Sequence, residues 1–556
     1  MSALFDLRET FRPKLFSVLR EGYRLDDLRH DLVAGLTVAV VALPLAMALA
    51  IASGTEPEKG LHTAIVAGFL ISALGGSRVQ IGGPTAAFIP VVFVVIQKFG
   101  YGGLILCTLL AGLMLIVAGV LRLGALMRYM PQPVITGFTA GIAVSIVLSQ
   151  VKDVLGLRMG AVPAEFFARL SAFAGNIGSF SWVAMGLAAL GLAVIFGLRR
   201  WKPSWPAFLI ALLLCTLLSS CLALPAETIA TRFGSIPARL PIFDFPHIPF
   251  ERTLELLPSS FTIAFLAGVE SLLSAVVADG MTGRRHRSNT ELIAQGVANC
   301  GSALFGGLPA TGAIARTATN IRAGARSPLA GIFHAGFLLA FMLLLAPLIR
   351  YVPLAALAAV LLVVAWNMAE IENFRHLLHG PVGDRVVLLL TFALTVMFDL
   401  TVAIEVGVVL AALLFMHRMS TVVEMESIAG MPDDDENQRA RLPPGVEAYR
   451  IAGPLFFAVA NRLDAVLDAY PQPPRAFILR LRLVPMVDAS GATAIGQLIE
   501  RCSRKGTQVI LSGLQPQPRE VLAQMGVHPG EGKLHFVADY DAAVALAAAL
   551  VGDRTT

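Results

Sequence analysis

Two short segments combine glycine and proline with apolar neighbours, a combination that can build an anion site. They are residues 82–88 and residues 306–316. Proline suits the first turn of a helix and glycine suits the irregular approach to it, so each segment predicts a helix that begins inside an apolar region. Helix N-termini carry partial positive charge and free N–H groups, and two of them facing one point can hold an anion. Two ordinary kinks or loops are the structural alternative.

Two charged residues stand in these apolar surroundings. Glu270 is the only charged residue in residues 261–277, and Arg316 lies about one turn into the second predicted helix. A charge at membrane depth is costly, so it is expected to be functional or paired. Glu270 is interpreted as a structural partner of Arg316, as a protonatable or ion-coordinating group, or as both. Ser274 lies four residues later on the same helical face and offers a further hydroxyl ligand.

The composition excludes a water-soluble globule for most of the chain. Of its 556 residues, 56% are hydrophobic and 15% are charged, against about 45–50% and 25% in soluble domains. The net charge of +5 is too small on so apolar a chain to indicate nucleic-acid binding. The five cysteines show no paired spacing. Neither a nucleophile–base arrangement, a Walker A loop nor a metal-ligand cluster is present, so we expect no enzyme, no cofactor and no metal.

Apolar windows predict about 14 helical segments in residues 31–418, and therefore a polytopic membrane protein. An even number places both termini on one side. Arginine and lysine are concentrated in the loops on the side of the N-terminus, so both termini are expected in the cytoplasm of a bacterium, with the protein in its inner membrane. Residues 1–30 are expected to form a cytoplasmic segment. The two interruptions precede predicted helices 3 and 10, which suggests two inverted repeats of seven helices with a binding site between them.

The composition changes after residue 418. Residues 419–442 are predicted to be an acidic linker, since they include the run Asp433-Asp434-Asp435-Glu436. Residues 443–556 alternate short apolar runs with amphipathic helical runs, which predicts a small cytoplasmic α/β domain. Residues 488–491 open a helix after an apolar strand, and Ser490 is expected to cap that helix.

The sequence resembles the sulfate permease family, also called solute carrier family 26, over nearly its whole length. The resemblance rests on the order of several segments and on a C-terminal STAS-like domain; the segments are residues 35–50, 83–86, 270–275, 289–299 and 315–317. Three further segments are similar to the bacterial C4-dicarboxylate uptake branch, namely residues 44–50, 278–283 and 366–368.

The resemblance implies a core (helices 1–4 and 8–11) that moves like an elevator against a gate (helices 5–7 and 12–14), in a homodimer. It implies a substrate site at the starts of helices 3 and 10, with helix 1 alongside: Leu45, Leu49, Thr85, Ala86, Ala87, Gly312, Ala313, Ile314, Ala315 and Arg316. It also implies that Glu270 is the coupling acid and that Ser274 occupies the cation-ligand position of sodium-coupled members.

Two positions depart from the family pattern. Leu45 and Ala315 stand where many relatives carry glutamine and serine. An apolar wall suits the carbon chain of an organic acid better than hydrated sulfate, and a single buried carboxyl suits proton coupling. The expected function is therefore proton-coupled uptake of C4-dicarboxylates. The alternatives are a sulfate or bicarbonate symporter driven by protons or sodium, an anion channel, or a sensor that does not transport.

The STAS-like domain matches the pattern of anti-sigma-factor antagonists. That resemblance implies that Ser490 can be phosphorylated, besides its structural role as a cap. The resemblance also implies that the domain can bind a nucleotide or a protein partner such as acyl carrier protein. The remaining expected partners are a small anionic substrate, a co-transported proton and membrane lipid.

Overall fold

The computed structural model describes most of the chain, in two compact units. The described residues are 12–124, 131–160, 162–203, 205–234, 243, 250–398, 400–427, 442–458, 473–530 and 533–552. One unit is Met1–Ala411 and the other is Ala412–Thr556. The centre of the predicted acidic linker and most of the helix predicted after Leu455 lie outside the described residues.

The described part of the N-terminal segment forms the short helix α1 (Lys14–Glu21). The first long helix, α2 (Leu25–Ala52), begins at Leu25 rather than at residue 31. Its start is stabilised because the Asp27 carboxylate accepts a hydrogen bond from the backbone N–H of Arg24 at 3.1 Å. Asp31 is fully buried and accepts hydrogen bonds from Ser327, which immediately precedes another helix.

The first unit consists of apolar helices joined by short connections. Each of the 14 predicted segments has a counterpart in the described part of the chain. After α2 these helices are α3 (Pro57–Leu74), α4 (Ile89–Val120), α5 (Gln132–Leu155), α6 (Phe166–Asn176), α7 (Trp182–Trp201), α8 (Ala207–Cys221), α9 (Ile229–Phe233), α10 (Thr253–Thr282), α11 (Ser288–Leu304), α12 (Ile314–Arg322), α13 (Leu329–Ile349), α14 (Leu354–Met368), α15 (Ile371–Leu378), α16 (Val382–Met397) and α17 (Leu400–Val422). Within the described residues, eight helices are long and apolar enough to cross a bilayer.

Helix α4 contains predicted helices 3 and 4. They are separated at Gly100, whose φ of 70° interrupts the helix and is easily adopted only by glycine. The sequence did not predict α6, which lies in the connection between α5 and α7.

Helix packing groups the segments around α4 and around α5. Helix α4 packs against α10 and α11, and α2 packs against α3 and α13, whereas α5 packs against α14 and α16. The contact between α4 and α11 is close because Gly112 and Gly296 face each other: a Cβ on Gly296 would lie 2.5 Å from the carbonyl oxygen of Gly112. Small residues at such a crossing let two helix backbones approach, as is common within membranes.

The second unit is built on a five-stranded sheet in the order β3 (Glu424–Ser427), β4 (Val446–Ala452), β5 (Ala476–Leu483), β6 (Gln508–Ser512) and β7 (Leu534–Val537). Strand β3 is antiparallel to β4 and the other neighbours are parallel. Its helices are α18 (Ala489–Arg504), α19 (Pro516–Gln524) and α20 (Tyr540–Gly552). Alternate β5 residues face opposite cores, with Phe477 on one side and Ile478 on the other. The predicted α/β domain is confirmed, while α17 and β3 extend into the predicted linker 419–442.

Candidate functional site

The two interrupted segments meet in a short antiparallel strand pair. Strand β1 (Gly82–Gly83) pairs with β2 (Thr311–Gly312), so that Gly82 lies opposite Gly312 and Gly83 lies opposite Thr311. Gly312 leaves space for the side chain of Gln80, since a Cβ on Gly312 would lie 1.6 Å from the side-chain amide nitrogen of Gln80. Two segments that are far apart in the sequence therefore meet at one place in the fold. This is the arrangement expected for corresponding elements of an inverted repeat.

Each strand leads directly into a helix N-terminus. After β1 the chain passes Thr85, whose backbone is extended, and enters a 3-10 turn (Ala86–Phe88) that continues into α4. After β2 it passes Ala313, also extended, and enters α12. The backbone N–H of Ala313 donates to the carbonyl of Ile81 at 2.8 Å, which ties the two approaches together. The structure therefore brings the predicted residues Thr85–Ala87 and Gly312–Ala315 to one junction.

Arg316 lies in the first turn of α12, nearer the helix start than the sequence predicted. Its side chain is only 3% exposed. One guanidinium nitrogen, Nη2, donates a short hydrogen bond to the carbonyl oxygen of Pro84. The other, Nη1, lies against Gly83, where an added Cβ would come within 2.4 Å of it, and it has no hydrogen-bond partner among the described residues. The guanidinium is therefore buried behind β1 and is not exposed at the junction.

Glu270 of α10 faces the same junction and is partly exposed. Its Oε2 accepts a hydrogen bond from the hydroxyl of Thr85 at 3.0 Å. No ion pair joins Glu270 to Arg316 within the described part of the chain, although the two charges are close enough to interact electrostatically. The carboxylate is therefore oriented by Thr85, and its second oxygen is not engaged by the arginine.

The remaining predicted substrate residues divide by exposure. Ile314, at 41%, and Ala315 are exposed, and Leu45 is partly exposed. Leu49 is 2% exposed, and Ala86 and Ala87 are also buried. The accessible surface at the junction consequently combines two polar groups, Thr85 and Glu270, with an aliphatic wall.

Ser274 makes a contact that the sequence did not indicate. Its hydroxyl donates to the hydroxyl oxygen of Thr317 at 3.2 Å, and the same oxygen accepts the backbone N–H of Ile81 at 3.0 Å. Ser274 thus connects α10 to α12 and to the segment before β1. The described residues hold no group of three or more His, Cys, Asp or Glu side chains placed to bind a metal.

A buried hydrogen-bond chain supports the junction from α11. The side-chain amide of Gln80 donates to the hydroxyl of Ser271 at 2.8 Å, and this hydroxyl donates to Oε1 of Glu291 at 3.0 Å. The other carboxylate oxygen, Oε2, accepts the backbone N–H of Gly76 at 2.8 Å. The sequence analysis assigned no role to these side chains. The signals in the sequence were a carboxyl, Glu291, that is the only charged residue of α11, and the family resemblance of residues 289–299.

In the second unit, the structure corrects the predicted cap of α18. The N-cap is Asp488, whose Oδ1 accepts the backbone N–H of Gly491 at 2.7 Å, and not Ser490. The Asp488 carboxylate also accepts the N–H of Phe457 through Oδ2 at 3.1 Å. Ser490 lies in the first helical turn and is exposed. Aspartate is suited to this N-cap position because its two carboxylate oxygens accept hydrogen bonds from two backbone N–H groups.

Helices that begin inside a multi-pass helical unit, beside a buried arginine, define the class: a membrane transporter with paired broken helices. Comparison with known proteins gives the family. The profile of the Sulfate permease family matches residues 28–391, and that of the STAS domain matches residues 437–542. The chain belongs to the sulfate permease family and is an anion transporter of that family.

Curated relatives align over almost the full length of the chain. It is 41% identical over 529 residues to the putative sulfate transporter YvdB of Bacillus subtilis, covering 95% of this chain and 99% of that protein. It is 31% identical over 518 residues to the bicarbonate transporter BicA of Synechocystis, covering 90% and 91%. The structure of murine Solute Carrier 26 family member A9 superposes with a TM-score of 0.87 at 19% identity, covering 98% of this chain and 95% of that one, which shows the shared fold. The predicted fold class is confirmed.

Proposed function

We propose that the protein is a proton-coupled importer of a small inorganic oxyanion, with sulfate as the first candidate substrate. The observation that carries the proposal is the buried Arg316, held between two helix N-termini and facing Glu270 without an ion pair. The proposal is supported by the names of the relatives, which are sulfate and bicarbonate transporters. These names favour an inorganic anion over the C4-dicarboxylate that the sequence analysis placed first.

Charge balance explains how a proton and an anion can be coupled at this junction. With Glu270 ionised, its charge offsets that of Arg316, and only the helix N-termini attract an anion. With Glu270 protonated, the positive charge of Arg316 is uncompensated. A proton on Glu270 and an anion beside Thr85 therefore favour each other's binding, which is the requirement for symport.

A C4-dicarboxylate remains the second candidate because of one observation. Leu45 and Ala315 both expose surface at the junction, and Ile314 adds to it. An organic acid can place its methylene groups on these side chains, and it gains roughly 0.8 kcal/mol for each buried methylene group. Sulfate and bicarbonate have no such group.

Movement and placement in the membrane form part of the proposal. The helices around α4, together with the junction of β1 and β2, would carry the anion by an elevator-like displacement against the helices around α5, in a homodimer within a bacterial inner membrane. Both termini would lie in the cytoplasm. Ser490 is exposed and available for phosphorylation, and acyl carrier protein remains a candidate partner of the STAS domain.

Uptake by the purified full-length protein in liposomes tests the proposal. We expect an inward proton gradient to drive saturable accumulation of labelled sulfate, with competition by unlabelled sulfate. Accumulation of labelled bicarbonate or succinate in place of sulfate would move the protein to the bicarbonate or dicarboxylate alternative. Sulfate flux that neither saturates nor responds to the proton gradient would indicate a channel, and absence of all flux would indicate a sensor.

A further inference from the structure

A cavity of about 410 Å³ lies on the side of the membrane unit opposite the N-terminus. It is enclosed by the C-terminal end of α2, the first half of α4, the C-terminal half of α5, the segment around α6, and the end of α16. Its polar lining includes Gln97, Ser149, Lys152 and Arg169. The rest of its wall is largely aliphatic and aromatic, so charges within it are only partly screened by water.

The cavity is adjacent to the candidate site but separate from it. Ile89 and Pro90 line its floor, and they directly follow the 3-10 turn Ala86–Phe88 at the candidate site. Phe88 lies between them in the chain, is 2% exposed and does not line the cavity. About one helical turn therefore separates this cavity from Thr85.

Two cations at the cavity, Lys152 and Arg169, form no ion pair in the described part of the chain; Asp153 and Glu227 act on Lys152 electrostatically from a longer distance. Lys152 donates to the carbonyl oxygens of Met159 and Gly160, at 3.0 and 3.1 Å. Arg169 donates to the carbonyl oxygens of Pro163 and Ala164, at 3.0 and 2.9 Å. Within the described ranges, no carboxylate lies within salt-bridge distance of either side chain. Burial without an acidic partner lowers the pKa of Arg169 from its ordinary value.

The third cation of the lining is already neutralised. Arg232 contacts Asp153 at 2.7 Å and Glu227 at 2.5 Å, and these two carboxylates together raise its pKa. The group of three cations and two acids thus leaves one net positive charge. Because both acids pair with Arg232, the cations left without an ion pair are Lys152 and Arg169.

We infer that this cavity is an anion-capture site, in which Lys152 and Arg169 hold a small oxyanion such as sulfate before it reaches the junction of β1 and β2. The inference rests on the proposed transport function. It adds a binding step in the cavity that precedes binding at the junction. Arg169 is well placed for this role because its guanidinium lies over the ring of Phe93 on α4, 5.7 Å from the ring centre. This contact connects α6 to α4 at the wall of the cavity.

Cysteine labelling tests the site without requiring transport. Of the five cysteines, Cys221 is exposed, Cys300 is half-buried, and Cys107, Cys215 and Cys502 are buried, so replacing Cys221 by serine and Cys300 by alanine gives a low background. Ser149→Cys then places a thiol in the lining, one helical turn from Lys152. We expect the anionic sulfonatoethyl methanethiosulfonate to react faster than its cationic trimethylammonium analogue. We also expect sulfate, but not the same concentration of a sodium salt of gluconate, to protect the thiol.

Charge substitutions provide the matched comparison. Arg169→Gln and Lys152→Gln should each reduce the preference for the anionic reagent about fivefold, as expected for removing one charge from a focused field. The control is Arg158→Gln, which should leave the preference unchanged. Arg158 is an exposed arginine in the connection between α5 and α6, and it does not line the cavity. Lack of sulfate protection in the Ser149→Cys protein would overturn the inference, and so would equal effects of the Arg158 and Arg169 substitutions.

A transport measurement separates this inference from the proposed function. If sulfate is taken up, Arg169→Gln should raise the KM measured from the cavity side about fivefold and affect kcat less. Sulfate uptake with an unchanged KM would contradict the capture site and leave the proposed function intact. Sulfate-protected labelling without any sulfate uptake would contradict the proposed function and leave the binding site intact.

Discussion

The hydroxyl of Thr85 donates a hydrogen bond to Oε2 of Glu270 at 3.0 Å and so connects a helix start to the partly exposed acid that faces it. Thr85 immediately precedes the 3-10 turn at the start of α4, whereas Glu270 lies within α10. The group that would take up a proton is therefore in direct contact with the group that would meet the anion. This contact gives a structural route for the proposed coupling.

Thr85→Val should weaken substrate binding because valine keeps the shape of the side chain and removes its donor. Loss of a hydrogen bond to a charged group costs about 1.5–3 kcal/mol, so we expect KM for the transported anion to rise at least tenfold. Thr85→Ser keeps the hydroxyl and is the control, and it should stay near the wild-type value. Equal KM values for the two variants would show that the hydroxyl has no role in binding.

Glu270→Gln should abolish the dependence of uptake on pH. The amide keeps the size of the side chain and can still accept from Thr85, but it cannot take up a proton. The measurement is initial uptake into liposomes with and without an inward proton gradient. Glu56→Gln, at an exposed acid before α3, serves as the control and should retain the gradient response. A gradient response that persists in Glu270→Gln would exclude Glu270 as the coupling acid.

Arg316→Ala should weaken anion binding by more than about tenfold, because it removes the buried positive charge behind β1. Arg316→Lys keeps the charge but loses the fork that reaches Pro84, so it should be intermediate. Binding of labelled sulfate to purified protein is the direct measurement. Unchanged affinity in Arg316→Ala would assign the arginine to structure alone.

Gly83→Ala should impair both stability and transport. Gly83 has a φ of 150°, and its added Cβ would lie 2.4 Å from Nη1 of Arg316. A residue forced into such backbone geometry costs roughly 1–3 kcal/mol, which a lower melting temperature should report. Gly280→Ala in α10 is the matched control, since no atom lies within 4 Å of its added Cβ. A melting temperature as high for Gly83→Ala as for Gly280→Ala would contradict the close packing at β1.

Asp488→Ala should destabilise the start of α18 by about 1 kcal/mol, the usual cost of losing an N-cap. Amide hydrogen exchange of the full-length protein should become faster at Gly491 and Phe457, whose N–H groups the carboxylate accepts. Ser490→Ala should leave this exchange unchanged, because Ser490 is exposed and does not cap the helix. Faster exchange in Ser490→Ala than in Asp488→Ala would instead support Ser490 as the N-cap, as the sequence predicted.

The sequence by itself determined the class of protein and the position of the broken helices. Apolar runs define membrane segments because a bilayer requires them locally, and the glycine–proline segments before Ala86 and Ile314 interrupt helices for equally local reasons. The break at Gly100, between predicted helices 3 and 4, has an equally local cause, because glycine adopts this φ without strain.

Only the tertiary structure decided which groups meet. The pairing of Gly82 with Gly312, the burial of Arg316 behind Gly83, and the contact of Ser274 with Thr317 all join segments that are distant in sequence. The helical periodicity that placed Ser274 on the face of Glu270 could not show that the neighbouring α12 would engage its hydroxyl. Local patterns fix backbone conformation, whereas a polar side chain in a buried region takes whichever partner the packing of distant helices brings within hydrogen-bonding distance.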